Sequence, residues 1–122
     1  MPSEKQILET LERIEDDMSG FIAASLVDLE SGMTLAAKSA RDDFDLTAAS
    51  AYNSELIKQK LKIMKTLGLP NTLEDIVITL GDQIHMIRMI GTTMFLYLAA
   101  DRGLTNLAII RAAVMRHAPD LG

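Results

Sequence analysis

Residues 75–101 read DIVITLGDQIHMIRMIGTTMFLYLAAD. Three apolar runs, Asp75 to Leu80, Ile84 to Ile90 and Met94 to Ala100, are separated only by Gly81-Asp82-Gln83 and Gly91-Thr92-Thr93. Turns this short join antiparallel neighbours, so the stretch is predicted to be a three-stranded meander. Its strands are apolar on both faces: Ile76, Ile78 and Leu80 alternate with Val77, and Phe95 and Tyr97 with Leu96 and Leu98. Such strands need cover on both sides, which calls for helices above and below one sheet.

The flanking segments supply those helices. After Asp101-Arg102-Gly103 a helix is predicted from Leu104 to His117, ended by Pro119, with Leu107, Ala108, Ile110, Val114 and Met115 as a broad apolar stripe. Upstream lies a long helix from Leu46 to Leu67, opened by Asp45 and stopped by Gly68 and Pro70. Before it, Phe21 to Asp28 and Met33 to Lys38 flank Leu29-Glu30-Ser31-Gly32, a hairpin with glycine at the tight position. The chain starts with a helix from Ser3 to Asp17. Ser3 and Gln6 form a capping box, and Ile7, Leu8, Leu11, Ile14 and Met18 share one face. The order is α-β-β-α-β-β-β-α, and the expected fold is a three-layer α/β/α sandwich around a five-stranded antiparallel sheet. Residues 1–122 are expected to form one domain.

Composition narrows the function. The 122 residues carry a formal net charge of −5 and 4% aromatic residues, which argues against nucleic-acid binding by bulk charge or base stacking. With no cysteine, disulfides, thiolate zinc sites and cysteine nucleophiles are excluded. No apolar run reaches the ~18 residues of a membrane span, and Met1 to Asp17 lacks the apolar core of a signal peptide, so a cytoplasmic protein is expected. The eight methionines are read as adaptable core filler.

Catalytic chemistry is not apparent. His85 lies in a strand and is read as an edge or half-buried polar residue. His117 and Arg116 close the last helix, where cations complement the dipole. Neither histidine has companions at metal-ligand spacing. The seven glycines sit singly at turns or element ends, without the spacing of a phosphate-cradling loop. Ser25 and Ser31 have no identifiable base, and Asp42-Asp43 reads as a solvated connector. No catalytic, cofactor or metal residue is assigned, and the chain is expected not to be an enzyme.

The long helix is more informative. At 100° per residue, Lys58, Lys62 and Lys65 share one side with Glu55, while Leu46, Ala49, Tyr52, Leu56, Ile57, Leu61, Ile63, Met64 and Leu67 span about half the circumference. That is wider than the ~100° stripe a single sheet requires. Asn53 and Lys60 sit near its middle, where burial without partners is costly. Two flanks resolve the difficulty, Tyr52, Leu56, Ile63 and Leu67 forming one and Ile57, Leu61 and Met64 the other. One meets the sheet and one meets the same helix of a second copy, with Asn53 and Lys60 fixing register. The strand from Asp75 joins this contact if it is a sheet edge. The expected dimer interface is therefore Asn53, Leu56, Ile57, Lys60, Leu61, Met64, Ile76 and Ile78. Charge reversal at Leu61 or Ile57 should dissociate the dimer. Lys58, Lys62 and Lys65 are the expected partner-binding face.

Three stretches resemble the roadblock (dynein light chain) family, particularly its bacterial branch: Gly20 to Asp28 with Ser31-Gly32; Leu73 to Leu80 leading into Gln83 to Arg88; and Phe95 to Arg102 followed by Asn106-Leu107-Ala108 and Arg111. All are turn and packing patterns, and their occurrence in order carries the likeness over nearly the whole chain. The resemblance implies a profilin-like, roadblock architecture dimerising through the middle helix and adjoining strand. It also implies a non-enzymatic scaffold or regulator of a Ras-like small GTPase or related signalling or motility protein, without cofactor. The alternative is a small-ligand sensor with a pocket between sheet and helix, which needs a cavity of several hundred Å3.

Overall fold

The computed structural model describes residues 2–122. Elements follow in the order α1 (Glu4–Asp16), β1 (Phe21–Asp28), β2 (Thr34–Ser39), α2 (Leu46–Thr66), β3 (Asp75–Thr79), β4 (Gln83–Ile90), β5 (Met94–Asp101), α3 (Leu107–His117) and a 3-10 turn (Ala118–Leu121). The strands form one antiparallel sheet in the order β2-β1-β5-β4-β3. β1, β5 and β4 lie inside it, and β2 and β3 are its edges.

Local chemistry starts each helix. Ser3 Oγ accepts from the Gln6 backbone N–H, and Gln6 Oε1 accepts from the Ser3 N–H, completing the predicted capping box. Asp45 caps α2 through the Ala48 N–H. Asn106 caps α3 through the Ile109 N–H, so that helix starts three residues later than the sequence suggests. Nor does Pro119 stop the chain from coiling, because it occupies the opening of the 3-10 turn, where no N–H is needed.

The two apolar faces of the sheet are covered as the alternation requires. On one side Leu26, Met86, Leu96 and Leu98 pack with Ile7, Leu11 and Ile14 of α1 and Ile110 and Val114 of α3. On the other, Val27, Ile87, Phe95 and Tyr97 meet Ile57 of α2. Two irregularities adjust the alternation. A register shift between Phe21 and Ala23 places both Ile22 and Ala23 in the α2-side core. A second, between Leu26 and Val27, leaves Leu35 of β2 as an extra residue opposite β1. Gly20, just before β1, has φ +75°, and a Cβ there would lie 3.0 Å from both the Asp101 carbonyl and Leu104 Cβ.

The ends of α1 and α3 are tied together. Asp17, which follows α1, accepts from His117 Nε2 at 2.5 Å and Arg116 Nη1 at 2.9 Å. The His117 bond contributes most to holding the Asp17 carboxyl below its ordinary 3.8, with Arg116 adding to it against a desolvation effect of opposite sign. A carboxyl depressed in the folded state stabilises above its unfolded value and loses that contribution as pH falls through the folded one. Asp17→Asn is expected to lower the melting temperature at neutral pH by a few degrees. Thermal melts in acid should show the gap closing below pH 3.8. A gap independent of pH would contradict the ion-pair account.

Candidate docking face

Helix α2 packs chiefly on β1 and β2. Small residues seat it closely. Ser50 and Ser54 are buried; Ser50 Oγ lies 2.7 Å from Thr34 Oγ1, and Ser54 Oγ donates to the Ser50 carbonyl. Gly32, at φ +73° in the hairpin, leaves room for this crossing, since a Cβ there would be 3.4 Å from Ser54 Oγ. Ile57, 0% exposed, and Met64, nearly buried, continue the same inward side.

The opposite flank is open. Tyr52 is 76% exposed, Leu67 66%, and Leu56 and Ile63 each 40%. Both predicted flanks therefore exist, but the division of labour corrects the expected interface. Ile57 packs in the chain's own core and is not available to a second copy, and Met64 turns the same way. Leu61 lies at the margin, beside Leu73 and Met89. Asn53 is half-buried and Lys60 exposed. The helical period arranges residues around a cylinder without fixing its roll, so a broad apolar arc leaves the inward side undecided.

β3 supplies the other half of the face. It pairs only with β4, leaving its outer backbone groups without a strand partner. Ile76 and Ile78 are half-buried on it, beside Ile87 and His85 of β4. His85 is the half-buried polar strand residue expected, although β4 is not an edge. Its Nε2 lies 2.7 Å from Gln83 Oε1, an acceptor, and its Nδ1 3.2 Å from the Tyr97 hydroxyl. Neutral imidazole satisfies both contacts. Phe44 packs edge-on against this ring and stacks on Tyr97. Desolvation pushes the His85 pKa down and the Tyr97 pKa up to about 12, so the floor beside β3 is uncharged near neutral pH.

Of the three lysines, Lys58 is engaged: its Nζ donates to the Glu30 carbonyl at 2.8 Å and lies 3.6 Å from Glu55. Lys62 and Lys65 are exposed. Catalytic groupings do not emerge from the fold. Ser25 is buried without a hydrogen-bond partner, Asp42 and Asp43 lie in an exposed connector, and the described residues contain no group of three or more side chains able to hold a metal ion. The space between α2 and the sheet, where a small ligand would sit, is filled by Ile57, Val27, Phe95 and Tyr97. Among the described residues, no helix is long and apolar enough to cross a membrane.

Comparison with known proteins places this geometry. No protein-family profile and no curated protein sequence matches the chain. Solved structures do. Myxococcus xanthus MglB superposes over 99% of this chain and 88% of its own, with a TM-score of 0.86 and 15% identity. The gliding protein MglB of Thermus thermophilus covers 97% and 87%, with a TM-score of 0.84 and 20% identity. A Roadblock/LC7 domain from Streptomyces avermitilis covers 93% and 92%, with a TM-score of 0.81 and 13% identity. At such identities the shared property is the architecture: this chain has the roadblock/LC7 fold.

Proposed function

We propose that the chain is a homodimeric, non-enzymatic scaffold or regulator, acting as one unit over residues 1–122 in the cytoplasm, that docks a Ras-like small GTPase or related signalling or motility protein. The observation that carries the dimer is the spacing of the exposed ridge on α2. Tyr52, Leu56, Ile63 and Leu67 are placed symmetrically about the point between Gln59 and Lys60. In an antiparallel pair with its two-fold axis there, Tyr52 lies opposite Leu67 of the partner subunit and Leu56 opposite Ile63 of the partner subunit. The ridge is about 22 Å long at 1.5 Å per residue. Adding the free edge of β3, with Ile76 and Ile78, extends the contact towards the area that stable interfaces need.

The GTPase part of the proposal is supported by the roadblock resemblance and by the fold shared with MglB, one of whose solved forms is described as a gliding protein. Within it, Lys62 and Lys65 meet acidic surface on the partner, while Lys58 serves mainly to hold the hairpin. The test is titration of the purified chain against a Ras-like GTPase from the same genome, loaded with either nucleotide. Lys62→Glu/Lys65→Glu is expected to weaken binding roughly tenfold or more, mostly through the association rate and most clearly at low salt. Failure of the parent chain to bind in either nucleotide state would overturn the GTPase assignment and leave the dimer to its own test.

A further inference from the structure

The outer side of α3 is unlike that of an ordinary surface helix. Leu107 is half-buried, and Ile110, Ala113 and Val114 are buried. The predicted stripe was too broad, because Ala108 and Met115 point to solvent. With Ile109 and Ala112 they make an outward apolar strip, Ile109 being 38% and Met115 52% exposed. In a chain whose residues are 24% charged, a solvent-facing helix side should be polar. Here no carboxylate occurs from Leu104 to Ala118. Beside Met115 the strip opens into a groove of about 270 Å3 lined by Arg88, Met89, Ile90, Ala118 and Pro119.

The charge beside the groove is unbalanced. Arg88 and Arg111 share the single carboxylate of Asp75, at 3.5 and 2.8 Å. Two guanidiniums on one carboxylate leave one positive charge in excess. Arg116 stands at the other margin, sharing Asp17 with His117.

We propose that this strip and groove bind one amphipathic helix of a partner protein. Large apolar side chains would lie over Ala108 and Ala112, and an acidic flank would face Arg88 and Arg111. Small residues let a helix approach closely, and an opposing carboxylate row compensates the excess positive charge. A second copy of this chain fits less well. A symmetric α3 pair brings arginines towards arginines, and four apolar residues a side fall far short of the ~800 Å2 per partner of a stable interface. An anionic bilayer fits poorly too, because α1 lies in the same layer and presents exposed Glu9, Glu12 and Asp16. The site lies across the sheet from α2, so it is independent of the dimer and of the GTPase assignment.

The probe is a synthetic peptide of about eighteen residues, with leucines at helical spacing on an alanine background and glutamates along one flank. Fluorescence anisotropy with the full chain is expected to give a Kd in roughly the tens of micromolar. Ala112→Glu, at an exposed helical position, should weaken binding about tenfold or more with an unchanged melting temperature, and Met115→Ser should weaken it less. The same peptide with lysine in place of glutamate should not bind. Absence of binding to the parent chain, equal binding to Ala112→Glu, or equal binding of both peptides would overturn the proposal. So would a change in the sedimentation of the free chain on Ala112→Glu, which assigns the strip to a second copy, or phosphatidylserine vesicle binding lost in that variant, which assigns it to a membrane.

Discussion

Ile57→Ala is expected to cost the fold about 2–5 kcal/mol, read by urea denaturation as a lower midpoint with little change in slope. The side chain is 0% exposed and meets the core of Val27, Phe95 and Tyr97, so truncation loses its transfer free energy and opens a cavity between α2 and the sheet. Ile57→Asp should remove the cooperative transition altogether, because among the described residues that core cluster is apolar and supplies no cation to pair with the carboxylate. A natively folded Ile57→Asp chain that merely dissociates would show that α2 has been rolled the wrong way. The outcome distinguishes the inward flank from the outward one by a single residue position, since Leu56 is 40% exposed.

Leu56→Asp supplies the contrasting result. The chain is expected to stay folded, with a melting transition comparable to that of the parent chain at the same subunit state, and to sediment as a monomer at tens of micromolar. Two buried carboxylates per dimer, each facing Ile63 of the partner subunit, cost several kcal/mol without a compensating charge. The register gives a sharper test. Ile63→Lys on the Leu56→Asp background should recover much of the dimer, because the two-fold arrangement pairs the new aspartate with the new lysine twice. Within one helix these positions are seven residues apart, about 10 Å along the axis, too far for a direct ion pair. Recovery therefore reports contact between chains. A double variant as monomeric as the single one, or a Leu56→Asp chain that remains dimeric, would overturn the antiparallel register.

The parts of the architecture legible in the sequence were those set by short-range chemistry. Ser3 with Gln6, Asp45, Gly20 and Gly32 mark the boundaries of their elements because a side-chain cap or a positive φ acts within a few residues. The double-sided apolar strands required three layers, and three layers are found. Helix roll was not legible. In α2, Ser50 and Ser54 count as neutral on any polarity scale, yet they face inward because β2 offers Thr34 as a hydroxyl partner and Gly32 leaves room for a close crossing. Two serines four apart in a helix following a hairpin with a positive-φ glycine were the available signal. The same uncertainty misplaced Ala108 and Met115. The ion pairs of Asp75 with Arg111 and Asp17 with Arg116 span 36 and 99 residues, and no local pattern foretells them.

The two rims of the sheet are not equivalent. β2 carries an extra residue at Leu35 and a lysine at position 38, both of which discourage a further strand from adding there. β3 is regular along its pairing with β4 and bears Ile76 and Ile78. A chain with two receptive rims would polymerise into a ribbon. One receptive and one defended rim allow a single joining event, after which the enlarged sheet ends in β2 at both extremities. If subunits join through β3, as proposed, the association is self-terminating, with β2 closing both ends against further growth.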